Sequence, residues 1–312
     1  MKAYHFDRHV LPLGPGHTFP VGKYVLLREA VRADPGGIQL SESGPASPGE
    51  LALAHEPHWI ESVLHGTLDA AAQREIGFPW SPEMAARSLH SVGATIAAAR
   101  AALAEGVAAS LGGGTHHASA SRGSGYCVFN DVAVAARLMQ AEWHRHHRRL
   151  LRVLVVDLDV HQGNGTAAIF QDDDTVFTFS VHGDRNFPFR KVDGDLDVAL
   201  PDGCDDTEYL AALDRGLAAA FQRLDAAGHA PGLAFYLAGA DPHEGDRLGR
   251  LKVTHAGLGV RDARVLEALR ARGIPVVVLM AGGYGRDIAR TVAVHRQTLA
   301  LAQAAWAQWP RP

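Results

Sequence analysis

The sequence predicts an α/β protein with a mostly parallel central sheet covered by helices on both faces. Three observations carry this. Short apolar runs such as Val153-Leu154-Val155-Val156 and Leu233 to Leu237 are closed by turn residues, as in strands buried on both sides. These runs alternate with longer helical stretches, the order of βαβ units. The side chains able to do chemistry gather just past the C-terminal ends of the runs, where open parallel sheets bind ligands.

Taken in order, Ala3 to Phe6 reads as the first strand, and Gly14-Pro15-Gly16-His17-Thr18-Phe19-Pro20 as a turn-rich segment. Lys23 to Arg32 forms a short amphipathic helix. Residues 34 to 50, rich in Pro, Gly and Ser, read as an exposed loop. His55-Glu56-Pro57-His58-Trp59-Ile60 opens another helix with Pro57 in its first turn; His55 and His58 read there as capping or packing residues. Ser81-Pro82-Glu83 is a helix start, with a capping serine, a proline and an acid. That helix is alanine-rich and runs to Glu105, stopping at Gly106. Val107 to Leu111 is a strand ending in Gly112-Gly113-Gly114-Thr115-His116-His117-Ala118. Asn130 caps a helix that closes with His144-Arg145-His146-His147-Arg148-Arg149. Cations are favourable at a helix C-terminus, so this run reads as a solvated helix end and not as a metal site.

The strand at Val153 runs into Asp157-Leu158-Asp159-Val160-His161. Thr175 to Ser180 is a strand followed by a loop over 182–196, and Thr207 to Ala227 is a helix. The strand Leu233 to Leu237 ends in Ala238-Gly239-Ala240-Asp241. Arg261 to Arg272 is a helix, Pro275 to Met280 a strand ending in Ala281-Gly282-Gly283-Tyr284, and Asp287 to Gln308 the final helix. No internal repeat or linker divides the chain, which predicts one catalytic domain over residues 1–312.

Composition narrows the function. The chain of 312 residues is 47% hydrophobic and 21% charged, enough for a large core. A net charge of −4 and scattered basic residues argue against a nucleic-acid partner. The two cysteines, Cys127 and Cys204, form no CxxC and imply no disulfide framework. The start, MKAYHFDRHV, has no apolar core of signal-peptide length, and no 18-residue apolar run occurs. The expectation is a cytoplasmic protein with no membrane partner.

Alternation at the strand end puts Asp157, Asp159 and His161 on one side. Two carboxylates and an imidazole crowded together repel unless a cation or a proton sits between them. Gly163 and Gly165, around Asn164, let the backbone turn tightly beside the cluster. Asp159, His161 and Asp241 make a three-ligand oxygen and nitrogen set, as in catalytic zinc sites that keep one open position; Fe(II) or Co(II) also suits it. Such a metal polarises a carbonyl and acidifies a water. His116 and His117 can move protons, and Tyr284 on its glycine-rich turn can donate to an oxyanion. The reaction class that follows is metal-assisted hydrolysis of an amide.

On these stretches, together with Glu244-Gly245-Asp246-Arg247-Leu248-Gly249, the sequence resembles the zinc-dependent histone deacetylase family, within a superfamily that includes acetoin utilization proteins and acetylpolyamine amidohydrolases. The Gln162-Gly163-Asn164-Gly165 and Glu244 to Gly249 variants make it most similar to class IV. The resemblance spans roughly residues 55 to 290 in order. It implies the three-layer α/β/α arginase/deacetylase fold and removal of an acetyl or longer fatty acyl group from lysine or a lysine-like amine. Position by position, it implies zinc on Asp159, His161 and Asp241. His116 pairs with Asp157, and His117, paired with Asn164, is the main base and then acid. Tyr284 stabilises the oxyanion. A structural potassium uses backbone carbonyls of Asp157, Asp159 and His161 with Ser180 and Val181. Gly125, Tyr126 and Phe187 flank the acyl-lysine tunnel, with Leu248 at its rim.

Two departures stand out. Asn164 replaces an Asp found in many members, and an amide cannot stabilise a charged His117 as a carboxylate would. The family's N-terminal His-Pro-rich segment is matched only loosely, by His17 to Pro20 and Lys23. Two rival classes remain: a zinc- and acyl-binding scaffold with weak catalysis, and a small-molecule amidohydrolase acting on acetylpolyamines. A binuclear arginase-type enzyme would need a second carboxylate-rich bridging motif, and only one DxDxH occurs.

Overall fold

The computed structural model describes residues 1–14 and 16–310, so Pro15 of the N-terminal turn, like residues 311 and 312, lies outside the described residues. In chain order the strands are β1 (Lys2–His5), β2 (Gln39–Glu42), β3 (Val107–Ser110), β4 (Val153–Asp157), β5 (Val176–Gly183), β6 (Leu196–Leu200), β7 (Leu233–Leu237) and β8 (Val276–Leu279). They form one sheet in the order β2-β1-β3-β8-β7-β4-β5-β6. Every pairing between these strands is parallel.

The helices are α1 (Gly22–Ala33), α2 (Pro48–Leu51), α3 (Pro57–His65), α4 (Ala70–Ile76), α5 (Pro82–Glu105), α6 (Asp131–His147), α7 (Asn164–Phe170), α8 (Asp206–Ala226), α9 (His255–Ala271) and α10 (Ile288–Ala307). Strand parity sorts them into two layers. Leu154 and Val156 of β4, with Ala234 and Tyr236 of β7, pack into one core with α1, α8, α9 and α10. Val153 and Val155, with Leu233 and Phe235, face the other way onto α3, α5 and α6. Successive side chains on a strand point to opposite faces, so strands apolar at every position need cover on both. Each fully buried Val, Leu or Phe contributes roughly 1.5–3 kcal/mol, which makes the central strands a stiff base for the loops at their ends.

The expected capping signals are present. The Ser81 and Asn130 side chains accept from Met84 N and Ala133 N at the starts of α5 and α6. The basic end of α6 is exposed and stops at Arg148 in the left-handed conformation. Two stretches depart from the sequence reading. The loop expected over 34–50 contains β2 and α2, and β6 follows the loop after β5. Both β2 and β6 are edge strands: β2 is mostly exposed, and β6 is mostly half-buried with Asp197 interrupting its apolar residues, so neither carries the apolar signature of the inner strands. Among the described residues, no helix is long and apolar enough to cross a membrane.

Candidate active site

The site lies at the C-terminal edge of five neighbouring strands, β3, β8, β7, β4 and β5. Asp159 and His161 leave the end of β4, and Asp241 follows β7. All three are buried, and each offers one ligand atom within 4.8 Å of the others. His161 Nδ1 lies 2.9 Å from Asp159 Oδ1 and 3.3 Å from Asp241 Oδ2. Ligands of a tetrahedral zinc, each roughly 2 Å from the ion, are separated by about 3.3 Å. Backbone amides aim the carboxylates: Gly282 N donates to Asp159 Oδ2 at 2.7 Å and Val160 N to Asp241 Oδ1 at 2.9 Å. Asp241 Oδ2 is buried without an aligned hydrogen-bond donor, and a cation would satisfy it. The residues present therefore fit a divalent metal.

The two carboxylates favour the charged form of His161. Burial pulls the His161 imidazole down, but its hydrogen bond to Asp159 and the close carboxylates of Asp159 and Asp241 outweigh it and raise it to about 10. Burial, then the Asp159 charge, push Asp241 up to about 7. Glycine is required beside these ligands. A Cβ on Gly282 would fall 1.9 Å from Asp241 Oδ2.

His116 and His117 follow β3, with ring centroids 4.1 Å apart. His116 Nδ1 pairs with Asp157 Oδ2 at 2.6 Å, and His117 Nδ1 with Asn164 Oδ1 at 2.7 Å. The two imidazoles are driven apart. Burial lowers His116, yet Asp157 and Asp159 outweigh it and carry it to about 9. Burial, then the neighbouring His116 and His161, hold His117 well below the usual imidazole range. Asp157 thus favours the charged form of His116, while burial favours the neutral form of His117, the form that can accept a proton.

Above this group, Gly125, Tyr126, Phe187 and Leu248 line a cavity of about 280 Å³ together with His117, His161 and Tyr284. Phe187 meets the His117 ring edge-on at 4.8 Å, and Tyr126 lies 5.8 Å from the Tyr284 ring. Gly125 is at φ +52°, and a Cβ there would fall 2.6 Å from the His117 ring. A second cavity, about 70 Å³, extends from Asp159, His161 and Tyr284 past Phe6, Leu11, Phe19, Phe78 and Met84 to Arg87. Lys23 is buried beside it, its Nζ donating to Ala281 O at 3.0 Å and Gly283 O at 3.4 Å, and lies 5.6 Å from the Tyr284 ring. Ser180 is paired in register with Asp157 across β5 and β4, and its hydroxyl meets His182 Nδ1 at 2.8 Å. His55 packs, spanning Ala120 O and Asn130 N.

Three further residues shape the site, and of these only Arg87 has any local signal in the sequence. Asp131 receives hydrogen bonds from Thr95 Oγ1, Gly114 N, Thr115 N and Thr115 Oγ1, and so fixes the turn before His116. Arg261, fully buried on α9, donates to Gly239 O at 2.6 Å and Leu158 O at 3.3 Å, tying together the loops that carry Asp241 and Asp159. Arg87 lines the inner cavity, over the Tyr24 ring at 4.2 Å. Its spacing from buried Met84 and Ser91 puts a cation on the apolar face of α5, which is the only local hint.

The histone deacetylase domain family matches residues 17–299. The chain is 45% identical over 289 residues to an uncharacterized protein of Picosynechococcus sp., covering 92% of each. It is 36% identical over 259 residues to Histone deacetylase 2 of Arabidopsis thaliana, covering 80% of this chain and 64% of that one. It is 30% identical over 161 residues to the acetoin utilization protein AcuC of Staphylococcus aureus, covering 48% and 40%. The chain thus spans nearly all of the cyanobacterial relative but less than two thirds of the plant and staphylococcal ones. In fold it is similar to a crystal structure of an HDAC homolog complexed with SAHA, with a TM-score of 0.78 at 23% identity over 99% of this chain and 89% of that one. An HDAC homolog from Aquifex aeolicus matches with a TM-score of 0.77 at 22% identity, over 100% and 85%. The three-layer arginase/deacetylase fold expected from the sequence is the one found. The chain belongs to the histone deacetylase family and is an amidohydrolase of the deacetylase type.

Proposed function

We propose that this chain is a zinc-dependent lysine deacylase of class IV type, acting as a single catalytic domain over its 312 residues. One observation carries the reading. A buried Asp159-His161-Asp241 cluster, a His116-His117 pair of split basicity and Tyr284 converge at the foot of one aromatic-walled tunnel. Asp159, His161 and Asp241 would hold the metal; zinc suits a set with two carboxylates and one imidazole, and Fe(II) is the alternative. A bound zinc supplies Lewis-acid polarisation of the amide carbonyl and a more acidic water. A potassium would sit behind it on the carbonyls of Asp157, Asp159 and His161 with Ser180 and Val181.

This chain's own groups do the rest. His117, kept neutral by burial, takes the proton of the attacking water and later returns it to the leaving amine nitrogen. His116, kept charged by Asp157, adds a positive field without moving a proton. The Tyr284 hydroxyl donates to the oxygen that gains charge when water adds to the carbonyl. Tyr126, Phe187 and Gly125 enclose the methylenes of a lysine side chain and exclude water from the reacting bond. Location in the cytoplasm is part of the same proposal.

The inner cavity bears on acyl length. Phe6, Leu11, Phe19, Phe78 and Met84 supply the apolar part of its lining, beside Arg87, Ser88 and Ser91, and Leu248 itself adds no charge to an outer cavity that Arg74 and Glu75 also line. Each buried methylene contributes about 0.8 kcal/mol. The class IV reading predicts that octanoyl or longer groups exceed acetyl in kcat/KM, which requires the cavity of about 70 Å³ to widen around the chain, with weak deacetylation remaining because apolar contact cannot strongly exclude a shorter group. The test is kcat/KM for acetyl-, butyryl-, octanoyl- and myristoyl-lysine peptides beside an N-acetylated polyamine. A monotonic fall from acetyl onward returns the protein to short-chain deacetylation. Turnover confined to the polyamine would make it a small-molecule amidohydrolase.

A further inference from the structure

Tyr284 is held by two adjacent charged residues from another loop. Asp246 Oδ2 accepts the Tyr284 backbone N–H at 2.6 Å. Arg247 Nε donates to the Tyr284 carbonyl at 2.9 Å, and its Nη2 to Thr18 O at 2.9 Å. The other Asp246 oxygen accepts from Leu248 N at 2.8 Å and Gly249 N at 3.0 Å. An isolated antiparallel bridge between Asp246 and Gly285 brings the two loops side by side. On the opposite side, Lys23 Nζ binds Ala281 O and Gly283 O. The turn needs such restraint: Ala281 sits at φ +50°, unfavourable for a residue with a Cβ, and Gly283 at φ +147°, where glycine adds no stiffness of its own.

The geometry points to Asp246 as a positioning residue for Tyr284, with Arg247 as the second half of a clamp on both its backbone polar groups. This inference rests on the reading of Tyr284 as the oxyanion donor. The clamp accounts for an acidic and a basic residue standing together on the loop whose Leu248 lines the cavity beside His117 and His161. Asp246 uses both carboxylate oxygens, one for Tyr284 and one for the rim residues Leu248 and Gly249. An amide cannot do both, because one side would turn an NH2 toward an N–H. Asp246→Asn is therefore nearly isosteric, and its one acceptor oxygen is better placed toward the two N–H groups of Leu248 and Gly249, which turns the NH2 toward Tyr284 N and releases the tyrosine.

A displacement of about 1 Å at a reacting centre can cost about 10²-fold in rate. Asp246→Asn should lower kcat by about 10–100-fold with KM and metal content little changed. A structural effect alone would produce such a loss through instability, so the deciding readout is a double-mutant cycle with Tyr284→Phe. With the hydroxyl gone there is nothing left to position. Asp246→Asn should then cost less than about threefold more in the Tyr284→Phe background. Arg247→Met, at an exposed side chain, should follow the same pattern and carries the test should Asp246→Asn fail to fold. The same fold-loss in both backgrounds, or loss of bound metal in Asp246→Asn, would overturn the clamp. A Tyr284→Phe variant within about threefold of the parent would instead bring down the reading of Tyr284, and the clamp with it.

Discussion

His117 is the residue on which the proposed proton transfer turns, and its neighbours define what it can do. Its Nδ1 meets an amide oxygen, Asn164 Oδ1, at 2.7 Å, whereas His116 meets a carboxylate. The same ring type is pushed in opposite directions by that difference and by the field of His116 itself. His117→Ala should lose more turnover than His116→Ala, since only one of the two imidazoles moves the proton. Asn164→Asp places a negative charge on His117 and stabilises its protonated form. Its pKa then rises, and the acid limb of the pH–rate profile moves to higher pH. Profiles of the parent and the variant check this, and superimposable acid limbs would show that residue 164 does not govern the base. At this scale the sequence was most informative. Asp157, Asp159 and His161 alternate within five residues, and His116-His117 and Gly283-Tyr284 are contiguous. Arg261 was invisible because its partner carbonyl at Leu158 lies 103 residues away, and no local pattern encodes such a pairing.

At the scale of elements, the inner strands and capped helices were legible because their signals are local. Ser81 and Asn130 cap as expected, and β7 spans Leu233–Leu237 as read. The start of α9 was not legible. The helix begins at His255 and not Arg261, through a stretch that contains Gly257 and Gly259, both poor helix formers. Tertiary packing decides this case. Thr254 caps the helix and is itself held by Asp206, and a Cβ on Gly257 would fall 2.2 Å from Asp206 Oδ1. The turn between β3 and α6 depends in the same way on a remote group, Asp131. Its carboxylate answers four donors in a buried site. Asp131→Ala strands the Gly114 and Thr115 N–H groups, each at a cost of about 1–3 kcal/mol, while the Thr115 and Thr95 hydroxyls can turn to Phe129 O and Ser91 O. Thermal or denaturant unfolding should show a loss of at least about 2 kcal/mol on that scale. A loss under about 1 kcal/mol would mean that the turn is held by other contacts.

For the whole molecule, the decisive arrangement is strand order. The five strands that carry site residues are contiguous in the sheet although their segments are spread over 170 positions and more of the chain, from β3 at Val107 to β8 at Leu279. The two cores, one on each face, fix the sheet, and the sheet delivers its C-terminal edge as one surface. The alternation of strands and helices pointed to a parallel sheet, but the edge strands β2 and β6 escaped because neither carries an uninterrupted apolar run. Everything proposed for catalysis depends on a divalent metal at Asp159, His161 and Asp241. The most direct measurement strips the protein with a chelator, titrates Zn(II) back, and follows bound metal and acyl-lysine hydrolysis together. The account predicts no turnover in the stripped protein, recovery that saturates near one metal per chain, and neither metal nor turnover in Asp241→Ala. Full turnover in a verified metal-free sample would contradict it.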